Sequence, residues 1–272
     1  MRKFVLKNAL GEEWDLTEVS SFLSKPKGLG GERKNTYVQV QNSFEMTESH
    51  LKQKDVKGEI VFKGYEEHYK FCAFIQHKPL ILLYSIDNVT YMMKVAVEKL
   101  AKGELELDGL VCDVSFKGLT TWYKLLRAEN LQSVEGKTYA YTYPYTYTNT
   151  AAGAVEIAVD STEPSPMKLY VMGPCTNPSW RHYTNGELAA EGKVICDIEQ
   201  GNKLVIDNTK IPYEIAEYTT GGAFVRDLYQ CSDFATKRFL QAEYGLNKIS
   251  FMQEGNTRLH AAVEVQVEYA FV

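Results

Sequence analysis

Hydrophobic and polar positions in this chain alternate in short runs with a period of two, and one stretch departs from that period. The sharpest run is Met167 to Trp180, MKLYVMGPCTNPSW. Leu169, Val171 and Gly173 fall on one side of an extended chain, with Lys168, Tyr170 and Met172 on the other, as in a strand half buried in a sheet. Gly173-Pro174 ends the run, because proline has no amide to donate and glycine permits a tight bend. A second turn follows at Asn177-Pro178, and Trp180 opens a new apolar segment. The stretch predicts a strand in, a crossover at two prolines and a strand out, which is how a β-sandwich passes from one sheet to the other.

The same reading applied from the start predicts a strand at Lys3–Leu6 and a hairpin-like turn over Asn8–Gly11 into Glu12–Leu16. KPKGLGGERKNT, residues 25–36, has no period and reads as a loop, mobile unless something covers it. Tyr37–Gln41 alternates as a strand, Thr47–Lys57 is polar and reads as a connection, and Gly58–Phe62 is a strand. From Gly64 to His77 the spacing changes. Tyr65, Tyr69, Cys72 and Ile75–Gln76 recur at steps of three and four, opposite Glu66, Glu67 and Lys70. That predicts an amphipathic helix of about 13 residues, stopped by Pro79. Leu80–Leu83 is an apolar strand, Asn88 a turn, and Thr90–Leu100 a long strand with Tyr91, Met93, Val95 and Val97 on one face. After a turn at Lys102-Gly103, the apolar parity of Glu104–Phe116 switches at Asp108-Gly109, where a β-bulge would keep both halves facing inward. Trp122–Ser133 is short and less regular.

Glu135-Gly136 is the expected boundary, giving domains over 1–135 and 136–272. Beyond it Tyr139, Tyr141, Tyr143, Tyr145 and Tyr147 share one face of a strand that Pro144 bends or places at an edge. They form either a half-buried first strand or an aromatic platform for a sugar or partner protein, centred on Tyr143 and Tyr145. Strands are expected at Ala154–Val159, Lys168–Met172, Lys193–Ile198, Lys203–Ile206, Lys210–Ala216, Phe239–Gln241, Lys248–Met252 and Ala261–Phe271. Such spacing describes an all-β sandwich.

Composition narrows the function classes. The 272 residues carry a formal net charge of −5, without the basic footprint of a general nucleic-acid binder. No apolar run reaches the roughly 20 residues needed to span a bilayer, and the N-terminal stretch lacks the apolar core of a signal peptide. The five cysteines (Cys72, Cys112, Cys175, Cys196, Cys231) are odd in number and scattered, which suits a reducing compartment rather than a disulfide framework.

Gly28-Leu-Gly-Gly31 is a glycine cluster without the flanks of a phosphate loop, and it reads instead as an interface loop with Arg33. No HExxH pair occurs among the five histidines. Asp197 and Asp207 lie on separate strand ends, without the context of a catalytic carboxylate pair. The expectation is a protein without enzymatic activity, cofactor or metal.

The order of these features resembles the siphophage distal tail protein family, the hub of the tail-tip baseplate. The resemblance rests on the turn pair Gly173-Pro174 and Asn177-Pro178, on Gly201 with Leu204, Ile206 and Asp207, and on Phe239, Gly245, Asn247 and Ile249 with altered spacing. It implies a mainly β fold of two domains: a ring-forming N-terminal domain with one helix, and a galectin-like β-sandwich pointing outward. It also implies a homo-oligomeric ring, a hexamer, built by the first domain; the glycine loop, mobile and basic, offers Gly28, Gly30, Gly31 and Arg33 as candidate subunit-interface residues. The implied partners are the tail tube protein, tail-associated proteins on the tape-measure side, and a receptor-binding protein. The place implied is the virion tail tip, assembled in the host cytoplasm, with neither specific nucleic-acid binding nor membrane insertion. The alternative is a galectin-like carbohydrate-binding protein used in host adhesion. That reading needs an exposed tryptophan over polar groups, and Trp180, Arg181, His182 and Asn185 are of the right types.

Overall fold

The computed structural model describes residues 2–106, 109–129, 153–254 and 259–272. The architecture is mainly β with one α-helix. The chain divides into two compact units, the first comprising Met1–Lys124 together with Glu268–Val272, the second Leu125–Val267. The chain thus leaves the first unit once and re-enters it for its last described residues. The boundary expected at Glu135-Gly136 and the tyrosine run from Tyr139 to Tyr147 lie outside the described residues.

In the first unit, β1 (Lys3–Lys7) pairs with β2 (Glu13–Asp15) across the predicted turn, where Gly11 has φ 81°. The Asn8 side chain holds that turn by accepting from the amides of Leu10 and Glu12. Then come β3 (Thr17–Glu18), β4 (Ser21–Lys27), β5 (Arg33–Val40), β6 (Ser43–Leu51) and β7 (Asp55–Phe62). Helix α1 (Tyr65–Phe74) precedes β8 (Leu80–Ile86), β9 (Val89–Glu106) and β10 (Gly109–Gly118). Every pairing is antiparallel: β8 joins β1 to the first part of β9, and β10 joins the later part of β9 to β7, which pairs with β4. Strand β10 buries Leu110, Cys112, Val114 and Phe116, the parity expected for this half of the segment.

Several expectations in this unit are corrected. No turn forms at Lys102-Gly103; β9 runs through it, because Gly103 leaves room for the Val111 carbonyl at the place a Cβ would occupy. The extra residues of the bulges sit in β9 rather than at Asp108-Gly109, and the parity switch separates two strands of one hairpin. Helix α1 also turns a different face inward, burying His68, Phe71 and Phe74 and leaving Tyr65 and Tyr69 exposed. Phe71 packs on Trp14 and Phe62, whereas the two phenols keep their hydroxyls in water beneath Lys102 Nζ. Trp122 opens a regular strand, β11 (Trp122–Glu129), in place of the irregular segment expected.

Among the described residues, two main sheets make up the second unit. One orders β20 (Phe224–Asp227), β19 (Glu214–Thr219), β18 (Asn202–Asp207), β13 (Ser165–Met172) and β23 (Ala261–Tyr269) side by side. The other orders β12 (Ala154–Val159), β22 (Gly245–Met252), β15 (Ser179–Thr184) and β16 (Glu187–Lys193). Short strands β14 (Cys175–Thr176) and β17 (Asp197–Ile198) pair with each other, and β21 (Gln241–Ala242) pairs with the start of β13. Strand β13 alternates as read, with Met167, Leu169 and Val171 buried, and the chain passes to the other sheet through Gly173-Pro174 and Asn177-Pro178. Gly173 is required there, since a Cβ would meet the Glu199 carbonyl at 2.1 Å.

The strand expected at Lys193–Ile198 is replaced by the end of β16 and by β17, and that expected at Lys210–Ala216 begins only at Glu214. Asp207 is buried, and its carboxylate accepts from the Thr209 amide and hydroxyl and pairs with Lys168 at 3.1 Å. Burial opposes its charge, but these donors prevail and hold the carboxyl below its usual range. Its role is to fix a strand end.

Candidate assembly surface

Strand β4 ends at Lys27, and the five residues before β5 begins are held by the first unit itself. Gly28 has φ 82° and sits where a Cβ would lie 2.1 Å from the Asp55 carbonyl. Gly31 presses on the Ala270 carbonyl in the same way, at 2.2 Å. Between them, the buried Trp122 indole donates to the Leu29 carbonyl at 3.2 Å, and Lys54 Nζ donates to the carbonyls of Gly30 (2.9 Å) and Ala270 (2.8 Å). Burial lowers the Lys54 pKa to about 8. Residues 28–32 are therefore an anchored root, and the cover that the sequence left open comes from the chain's own backbone.

From this root, β5 and β6 rise as a two-stranded sheet. Val40 closes on Ser43, so Gln41 and Asn42 form a two-residue loop, with Gln41 at φ 55°. Tyr37 faces Met46 and Gln39 faces Phe44. The period of a strand then places Tyr37, Phe44 and Met46 on one face and Val38 and Val40 on the other. Tyr37 is 56% exposed, Phe44 70% and Met46 58%. A face carrying three large apolar side chains, on a hairpin with no third strand among the described residues, is unusual because two strands alone are marginally stable in water. The strands add their own braces: Asn35 donates to the Tyr37 hydroxyl, Ser49 to Asn35 Oδ1, and Thr47 to the Thr36 carbonyl. At the root Lys52 pairs with Glu32 at 2.6 Å.

Two earlier expectations change here. Tyr37–Gln41, read as an alternating strand, forms one but buries neither face; Thr47–Lys57 was expected to be a connection and mostly forms β6. Phe44 and Met46 were missed because Glu45, Thr47, Glu48 and Ser49 dominate the segment. The alternation SFEM following a polar two-residue break was the signal available.

The other candidate residues separate. Arg33 starts β5 and is exposed, as are Gly28 and Gly30, while Gly31 is half-buried. Tyr143 and Tyr145 lie outside the described residues. Trp180 is fully buried, with the Gly192 backbone against its ring, so it is not an exposed platform. His182 is also buried, and its Nε2 lies 3.0 Å from Asn247 Oδ1. The Asn247 amide nitrogen donates to the carbonyls of Glu243 and Gly245, so its oxygen accepts the imidazole proton. Arg181 points outward toward Glu191 at 3.4 Å. Alternation along β15 explains the split: even positions face the core and odd positions face solvent. Asn185 is spent on the β15–β16 turn.

Among the described residues, an apolar hairpin face left uncovered is the most conspicuous surface of this mainly β chain, and such faces mark sites of assembly. Residues 3–119 match the family model described as distal tail protein, N-terminal domain. Over those residues the chain is similar to the N-terminal domain of distal tail proteins. Among solved structures, a chain of the phage P2 baseplate in its activated conformation with calcium matches with a TM-score of 0.64 at 15% identity, over 97% of this chain and 98% of that one. The SPP1 distal tail protein, presented as a paradigm of the hub adsorption apparatus in phages infecting Gram-positive hosts, matches with a TM-score of 0.64 at 9% identity over the same shares. At these identities the likeness is one of fold. No curated protein sequence matches the chain.

Proposed function

We propose that this protein is a hub component of a phage tail-tip baseplate, which assembles through its first unit into a closed ring joining the tail tube to tail-associated and receptor-binding proteins. The observation that carries the reading is the β5–β6 hairpin, whose Tyr37, Phe44 and Met46 are exposed on one face. A second copy placed head to tail would cover that face, and repetition by rotation would leave none uncovered. Covering three such side chains contributes roughly 1.5–3 kcal/mol each. The resemblance to distal tail proteins supports six copies as the size of that ring.

The test is the mass in solution of the intact chain and of the variant Tyr37→Ser, Phe44→Ser, Met46→Ser, measured by light scattering. The expected result is a ring for the first and a single chain for the second. Because the altered side chains are solvent-exposed, thermal unfolding of the rest of the first unit should move little. Losing roughly 5 kcal/mol per contact weakens association by more than a thousandfold. A monomeric native chain, or a variant that keeps its mass, overturns the reading.

A further inference from the structure

The root of the hairpin is completed by residues that follow the whole second unit in the sequence. Lys54 Nζ bridges the carbonyls of Gly30 and Ala270, the second of which belongs to a residue 216 positions further along the chain. Gly31 lies against the same Ala270 carbonyl, and a Cβ there would also come within 2.9 Å of the Phe271 ring. Ala270 is fully buried, and next to it Tyr269 packs edge-on against Tyr91 at 5.2 Å, beneath Lys124 Nζ at 4.7 Å. All of these residues belong to the first unit. A two-stranded hairpin borrows its order from whatever holds its ends. Here one side of that hold is Asp55 against Gly28, and the other is the segment 268–272.

We propose that residues 268–272 are a latch that sets the β5–β6 hairpin in its docking geometry, so that the chain presents its assembly surface only after the sequence beyond the second unit has been made and has folded back. The docking role of the hairpin is that of the preceding section; the latch itself concerns a single chain. Without the segment, Lys54 loses one of its two acceptors and Gly31 loses its backing, so the root keeps only Gly28 against Asp55, the bonds to the Leu29 and Gly30 carbonyls and the exposed Lys52–Glu32 pair. The hairpin then fluctuates about its root and its apolar face has no fixed direction. Partly made chains would on this account be kept from joining a ring.

Amide hydrogen exchange tests this in two forms of the chain, one ending at Val267 and one of full length carrying Gly31→Ala, which drives a methyl group into the Ala270 carbonyl. The expected result in both is exchange at least tenfold faster at residues 29–34 and 50–53, with the β7 and β10 amides within about twofold of native rates. The Tyr37→Ser, Phe44→Ser, Met46→Ser variant is the control. It should keep native protection at the root while losing the ring, which separates failure of the latch from failure of the assembly reading. If the shortened chain does not fold, the Gly31→Ala form carries the test alone. Native rates at the root, or acceleration of all first-unit amides together, overturn the latch.

Discussion

His182 shows how a residue of ligand-binding type becomes part of a core. Its ring sits at a buried position of β15, and Asn247 Oδ1 accepts a hydrogen bond from it while Asn247 also closes the turn between β21 and β22. Burial lowers the imidazole pKa below its usual value of 6.5, against the pull of the Asn247 hydrogen bond. In the unfolded chain the ring takes up a proton near pH 6.5, whereas in the folded chain it does so only at lower pH. The stability contributed by the neutral ring is therefore present above pH 6.5 and is lost as the pH falls below it. Exchange protection of the β15 and β22 amides should drop between pH 7 and pH 5 in the native chain. In His182→Gln that drop should be smaller, and an equal drop in both forms would remove His182 as its cause.

The β15–β16 hairpin turns through Asn185 and Gly186 at φ 51° and 92°, the two left-handed residues of a two-residue turn. Asn185 does more than turn: Leu246 donates its amide to Asn185 Oδ1 at 2.9 Å, and the Asn185 amide group donates to the Tyr244 carbonyl at 3.2 Å. Gly245 has no room for a side chain because Asn185 fills it. Asn185→Ala removes both bonds and places an alanine at positive φ, and should cost the second unit about 1–2 kcal/mol in urea unfolding. Asn185→Gly keeps the conformation and should cost less. The β5–β6 hairpin is the contrasting element, since no second loop docks on its tip among the described residues. Asn185-Gly186 is among the strongest short hairpin signals a sequence can carry, whereas Gln41-Asn42 is a weak one.

The whole chain carries a formal charge of −5, and this bears on the proposed ring. Duplex DNA passing through a ring has to slide, and lysines or arginines on the wall would hold phosphates through counterion release. The purified protein should therefore show no binding to duplex DNA at about 0.15 M salt, nor a steep gain as the salt is lowered. Strong salt-dependent binding in a gel-shift titration would argue against a DNA-conducting ring. The discontinuity of the first unit also bears on any attempt to isolate it. A fragment of residues 1–133 lacks Tyr269 and Ala270, so it tests an incomplete unit, and residues 268–272 need to be supplied with it.

Short-range physics was legible from the residues alone. Strand β13, the stop at Gly173-Pro174, the turn at Asn8–Gly11 and the buried parity of β10 follow from side-chain period and from what glycine and proline allow. The resemblance to distal tail proteins rested on such local features too. Other matters belonged to the tertiary structure, because they depend on what lies opposite a residue. Tyr65 and Phe71 are both aromatic and both helical, and only the presence of Trp14 and Phe62 decides which goes inward. Tyr37–Val40 alternates like a buried strand, yet no layer covers it among the described residues. Gly31 has the composition of a flexible loop and the surroundings of a packed one, since its neighbour Ala270 arrives from the far end of the sequence. Period and propensity are properties of a few consecutive residues, whereas burial is a property of pairs brought together by the fold.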